Sequence, residues 1–267
     1  MLKDITLGQY FPGNSIIHRL DSRCKIIFDM FFVVMLFMAR NFTALAISAA
    51  FILIVYTISR IKFRLILKSL RPIIPLIVFT GILNLFFITG EEPLVEYGFI
   101  KIYPEGMSTS IFMIIRIISL IIGMSLLTYT TSPIMLTDAI ESLLSPLKKI
   151  KFPSHELAMM MTIALRYIPI LIEETDRIMS AQKARGASLD TGGLIKRARA
   201  LVPIMIPLFI SAFKHANELA MAMECRCYTG GEGRTRLRQL RTSYLDVIAG
   251  FIMLCISGTV VLANMLF

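Results

Sequence analysis

The sequence predicts an all-α polytopic membrane protein with about five transmembrane helices and long amphipathic helices at the cytoplasmic face. Three observations predict it. Of 267 residues, 56% are hydrophobic and only 17% charged, whereas a soluble domain carries about a quarter charged residues. Four apolar blocks approach or exceed the roughly 20 residues that cross a bilayer. The net charge is nonetheless +10, and its placement separates a membrane protein's cytoplasmic loops from a nucleic-acid-binding surface.

The N-terminal segment, residues 1–25, carries Arg19, Arg23 and Lys25. It has no short apolar run followed by a small-residue cleavage site, so no signal peptide is expected. Residues 26–130 hold four crossings. The block Ile26 to Ser59 is too long for one and splits at Ala39-Arg40-Asn41 into a hairpin of slightly short helices. Pro72 to Thr89 and Met107 to Thr130 supply two more, and the last block, in residues 244–267, is the fifth. The loop Arg60 to Arg71 is basic, and the loop with Glu91, Glu92, Glu96 and Glu105 is poor in Lys and Arg. The positive-inside rule then puts the N-terminus in the cytoplasm and the C-terminus outside.

Residues 131–243 carry most of the remaining base and are expected in the cytoplasm. Helical patterns run from Pro133 to Lys149, Ser154 to Arg185 and Gly193 to Cys227. Pro153-Ser154 is a plausible start, and Gly186 and Gly230-Gly231 are plausible stops. Pro169, Pro203 and Pro207 should kink the two long helices. Both are apolar enough to span, yet Arg166, Glu173, Glu174 and Lys214 interrupt or flank them. Helices lying in the cytoplasmic interface are favoured over a further pair of crossings.

No catalytic constellation is present in the sequence. His155-Glu156 begins like a zinc-protease motif, but Met159 stands where the second histidine belongs. Cys225 and Cys227 have no second pair, and Gly230-Gly231-Glu232-Gly233-Arg234 lacks the Lys-Ser/Thr of a phosphate loop. No metal, cofactor or nucleic acid is therefore expected, and any ATP would be bound by partner subunits. Arg116, well inside the fourth crossing, is either functional or an interhelical hydrogen-bond donor. Lys25 and Asp29 are expected near the membrane interface.

One short pattern occurs twice. Ala181 to Asp190 reads AQKARGASLD and Ala222 to Gly231 reads AMECRCYTGG. Ala184-Arg185-Gly186 then aligns with Cys225-Arg226-Cys227. A basic residue at a helix C-terminus complements the dipole, but that alone does not explain the repeat. Small neighbours let a helix end enter a groove, and a guanidinium holds a carboxylate bidentately. Two such ends suit a partner with two similar grooves.

These two ends resemble the coupling-helix ends of the T component of energy-coupling factor (ECF) transporters. The opening GQYFPGNSIIHRLDSRCK is similar to that family's N-terminal pattern, through Gly8, Tyr10, Pro12-Gly13, Ser15, His18, Leu20-Asp21 and Arg23. Ser22 stands where the family commonly has Pro, and Cys-Arg-Cys where it has a second Ala-Arg-Gly. The resemblance implies a non-catalytic, multi-pass subunit of a bacterial cell membrane. It would pair with two ABC-type ATPases in the cytoplasm and a membrane-embedded S component that captures a vitamin or other micronutrient. It assigns ATPase docking to Ala184, Arg185, Gly186, Cys225, Arg226 and Cys227. Met159, Met160 and Met221 belong to a methionine-rich stretch that suits either S-component contact or plain core filling. The competing readings are a stand-alone membrane transporter, which should show ionisable pathway residues or inverted repeats, and a scaffold without ATPase coupling.

Overall fold

The fold is known from a computed structural model that describes residues 10–89, 95–97, 100–150, 152–186, 193–230 and 242–266. It is all-α apart from one short hairpin. The elements are α1 (Ile16–Arg19), α2 (Ser22–Met38), α3 (Phe42–Ser59), α4 (Phe63–Leu70), α5 (Ile74–Phe87), β1 (Val95–Tyr97), β2 (Ile100–Ile102), α6 (Pro104–Thr130), α7 (Pro133–Leu144), a 3-10 segment (Ser145–Ile150), α8 (Ser154–Ala184), α9 (Leu194–Glu224) and α10 (Tyr244–Leu266). Two units emerge: one drawn from residues 8–139 and 239–267, the other from 140–238. Helix α7 runs across the division.

In the first unit the buried face of each helix has helical spacing: Phe32, Met35, Leu36 and Ala39 on α2 and its end, Leu45, Ser48, Ile52, Tyr56 and Ser59 on α3, and Met253, Val260 and Ala263 on α10. Small residues bring the helices close. A Cβ added to Gly123 of α6 would stand 2.8 Å from the ring of Phe32. The outward faces are equally apolar: Met30, Val34, Phe37, Leu53, Ile54, Phe251 and Leu254 are all exposed. Helices apolar all round, with small residues at their contacts, need lipid rather than water around them.

The hairpin expected at Ala39-Arg40-Asn41 forms, with helices of 17 and 18 residues. The crossing expected from Pro72 to Thr89 is different. Helix α5 has 14 residues, about 21 Å, and reaches a span's length only with α4, from which it bends by 61°. Pro72 and Pro75 lie at that break; each removes a backbone donor and restricts the residue before it. Among the described residues five helices are long and apolar enough to cross: α3, α6, α8, the part of α9 from Arg199, and α10, with the bent pair α4–α5 as a sixth. This set includes both long helices and omits the shorter α2.

The acidic connection also departs from expectation. Val95–Tyr97 pairs antiparallel with Ile100–Ile102, Glu96 opposite Lys101, where no strand is predicted; Glu91 and Glu92 lie outside the described residues. The helix expected to Lys149 ends at Leu144 and tightens to 3-10 geometry, because Pro146 cannot donate to the preceding turn.

In the second unit α8 and α9 are 31 residues each and run unbroken through Pro169, Pro203 and Pro207. They pack against each other. Ser211 donates to Glu174, His215 Nε2 lies 3.7 Å from the same carboxylate, and the Tyr167 ring stacks obliquely on His215 at 5.8 Å. At the start of α8, His155 Nδ1 is 3.0 Å from Glu141 Oε1. The residue that imitated a zinc ligand is thus half of a structural pair, and among the described residues no group of three or more metal-binding side chains gathers.

Candidate functional site

The paired arginines occupy matching positions. Arg185 follows the last residue of α8 and precedes Gly186, whose φ is +88°. Arg226 precedes Cys227, whose φ is +54°. In both copies the left-handed residue donates its N–H three residues back: Gly186 to Lys183 at 3.0 Å, Cys227 to Glu224 at 2.9 Å. In the second copy Tyr228 N–H also reaches Met223 at 3.1 Å, completing a Schellman closure. The helical pattern read to Cys227 therefore closes there, at a cysteine ahead of the Gly230-Gly231 pair. An L-residue in this region is strained, so the capping hydrogen bonds hold Cys227 there.

All six residues, Ala184, Arg185, Gly186, Cys225, Arg226 and Cys227, are exposed. Among the described residues neither guanidinium forms an ion pair or side-chain hydrogen bond. The helix contact is also symmetric in sequence: Glu174 precedes Arg185 by the same 11 positions that separate His215 from Arg226. Each arm from the contact to its arginine is roughly 16 Å of helix. Two equal arms end in exposed cations, each followed by a left-handed residue.

Of the candidate methionines, Met160 and Met221 are exposed and Met159 is half-buried. Met221 joins Met205, Ile206, Phe209, Ile210 and Phe213 along an open groove of about 880 Å³ on α9, an apolar surface exposed among the described residues of this unit.

Arg116 proves to be a structural donor. It bonds the carbonyl of Ala39 at the α2–α3 turn, and its guanidinium lies over Phe112 at 4.7 Å and Phe37 at 5.9 Å. Asn264 of α10 grips the same turn, donating to Met38 O at 2.8 Å and accepting from Arg40 N–H at 3.1 Å.

The N-terminal pattern is a folded network. Ser15 caps α1 and bonds His18 Nδ1 at 2.7 Å, while His18 Nε2 is 3.0 Å from Phe11 O. A neutral imidazole protonated on Nε2 satisfies both, and burial lowers the His18 pKa from its ordinary value, favouring that neutral form. Gly13 is required here, since a Cβ would stand 2.8 Å from the His18 ring. Phe11 N–H donates to Tyr129 O at 3.0 Å. Asp21 caps α2 through Arg23 N–H at 3.0 Å. Lys25, expected at the interface, is instead buried: its ammonium donates to Thr130 O at 3.0 Å and His18 O at 3.3 Å. Asp246, which sequence reasoning missed, accepts from Asp21 N–H at 2.8 Å and Ser243 N–H at 2.7 Å. Only its place, three residues after Ser243, signalled a helix-capping role.

Residues 13–237 match the family described as cobalt transport protein, CbiQ. The chain belongs to this family. It is 53% identical over 261 residues to the energy-coupling factor transporter transmembrane protein EcfT of Clostridium kluyveri, covering 96% of this chain and 97% of the relative. It is 49% identical to the protein of that name from Ruminiclostridium cellulolyticum over the whole of both chains. With the Bacillus subtilis protein of that name it shares 47% identity, over 90% of this chain and 91% of the other. The CbiQ-family chain is thus a multi-pass membrane component of an energy-coupling transporter, and Arg185, Arg226 and the Ser15–Lys25 part of the N-terminal network fall inside the matched region.

Proposed function

We propose that this chain is the T component that couples ATP hydrolysis by two ABC-type ATPases to micronutrient uptake through an S component. Arg185 and Arg226 are the docking points, one per ATPase, with Ala184, Gly186, Cys225 and Cys227 keeping each tip narrow. The observation that carries this is the pair of equal helical arms, each ending in an exposed guanidinium followed by a left-handed residue. A dimer of similar ATPases offers two equivalent acidic grooves, and bidentate pairing fixes the orientation of each tip. ATP stays with the partners. Helices α8 and α9 lie along the cytoplasmic interface, and the apolar groove through Met205 and Met221, with Met159 and Met160 on α8, receives the S component. Flexible methionines suit a surface that meets more than one such partner. The N-terminus is cytoplasmic and the C-terminus outside.

Pull-down of the ATPases and substrate uptake in proteoliposomes test the reading. Truncating one partner of a buried charged pair costs ~2–5 kcal/mol. Arg185→Ala or Arg226→Ala should therefore each weaken assembly, and the double variant should lose far more, because linked contacts raise each other's effective concentration. Lysine should rescue only partly, lacking the planar fork. Full complex yield and full uptake in the double variant would reduce the arginines to helix caps.

A further inference from the structure

The chain leaves the first unit after α6 and α7 and re-enters it just ahead of α10. Both connections are held by the same N-terminal stretch. At the end of α6, Lys25 donates to Thr130 O and Phe11 to Tyr129 O, at 3.0 Å each. At the start of α10, Asp246 accepts from Asp21 N–H and Ser243 N–H. Lys25, Asp21 and Asp246 are all at most 7% exposed. Removing one member leaves a buried polar group unpaired.

Beneath these bonds the same helices stand apart. A cavity of about 510 Å³ lies among α1, α2, α3, α6 and α10, lined by Gly123 and Leu126 of α6, Ile248 and Ile252 of α10, and Phe28 and Asp29 of α2. Helices α6 and α10 pack on α2 and α3. At this end the polar bonds through residues 11–25 are what ties the exit helix to the re-entry helix, and the cavity leaves room for their spacing to change.

We propose that Lys25 and Asp246, bridged by the His18–Asp21 segment, form a clasp that holds the ends of α6 and α10 at one spacing, so that displacement of the arginine-tipped unit moves the membrane helices together. These are positioning residues, and the inference rests on the coupling role proposed above. Without the clasp the same displacement is absorbed as relative movement of the two helix ends over the cavity.

The test uses the whole complex, chain with ATPases and S component, in proteoliposomes. Lys25→Met keeps the apolar stem and removes the donors; Asp246→Asn removes one acceptor. In both, ATPase pull-down and ATP hydrolysis should remain, while substrate transported per ATP falls about tenfold, the factor that one charged hydrogen bond represents. Lys25→Arg, which keeps the donors, should restore part of that ratio. Spin labels at Thr128 and Val247, both exposed, report the spacing even where uptake is abolished; their distance distribution should be narrow in the parent and broad in Lys25→Met. An unchanged transport-to-hydrolysis ratio, or an unchanged distribution, would overturn the clasp. Failure of the parent chain to bind ATPases would instead overturn the coupling role.

Discussion

At the scale of single residues, the most informative position is Cys227. Its φ of +54° does the work that Gly186 does at +88° in the first copy. A left-handed L-residue costs roughly 1–2 kcal/mol, and glycine forfeits part of that gain through its freer unfolded chain. Cys227→Gly should therefore stabilise the end of α9 by ~0.5–1 kcal/mol, and Gly186→Cys should destabilise the end of α8 by a similar amount. Hydrogen exchange at Cys225, Arg226 and their first-copy counterparts reads both directly. Equal protection before and after the swap would mean that the cap geometry is set by the partner rather than by the chain.

At the scale of elements, the contact between α8 and α9 decides whether two arginines act as a pair. Glu174 is shared by Ser211 and His215. Glu174→Ala leaves the Ser211 hydroxyl without its acceptor, at ~1–3 kcal/mol for a group deprived of its partner, and removes the carboxylate beside His215. The spacing of the tips should then loosen. ATPase pull-down is expected to weaken although Arg185 and Arg226 are intact, with Glu174→Gln intermediate because it can still accept from Ser211. Wild-type pull-down in Glu174→Ala would show that the tips dock independently. The turn between α2 and α3 teaches the complementary lesson. Helices of 17 and 18 residues meet in a turn whose Met38 and Ala39 carbonyls Asn264 and Arg116 reach across from α10 and α6 to satisfy.

At the scale of the whole molecule, the orientation proposed above rests on where base accumulates. With Cys24, Cys225, Cys227 and Cys255 replaced, a cysteine at Glu105 should react with an impermeant reagent added to intact cells. A cysteine at Lys196 should react only after permeabilisation. Labelling at 196 from outside together with labelling at 105 would make α8 and α9 a spanning pair; labelling at 196 without labelling at 105 would invert the proposed topology. Because both helices are apolar and long enough to cross, this experiment also separates interfacial helices from an additional spanning pair.

The amino-acid sequence by itself determined the membrane class, the α2–α3 hairpin, the start of α8 at Ser154 and the repetition of Arg185 in Arg226. All of these rest on local composition and spacing: apolar length, a break of polar residues, a capping residue, a pattern recurring along one chain. Tertiary structure alone decided that α5 needs α4 to make a span, that Arg116 serves the Ala39 carbonyl, and that Lys25 meets the end of α6 and Asp21 the start of α10 across more than a hundred residues of chain. Those features arise where a buried donor or acceptor must find a partner. That requirement is absolute in an apolar interior, yet it leaves no periodic trace, because the partner is often a backbone carbonyl carried by every residue type.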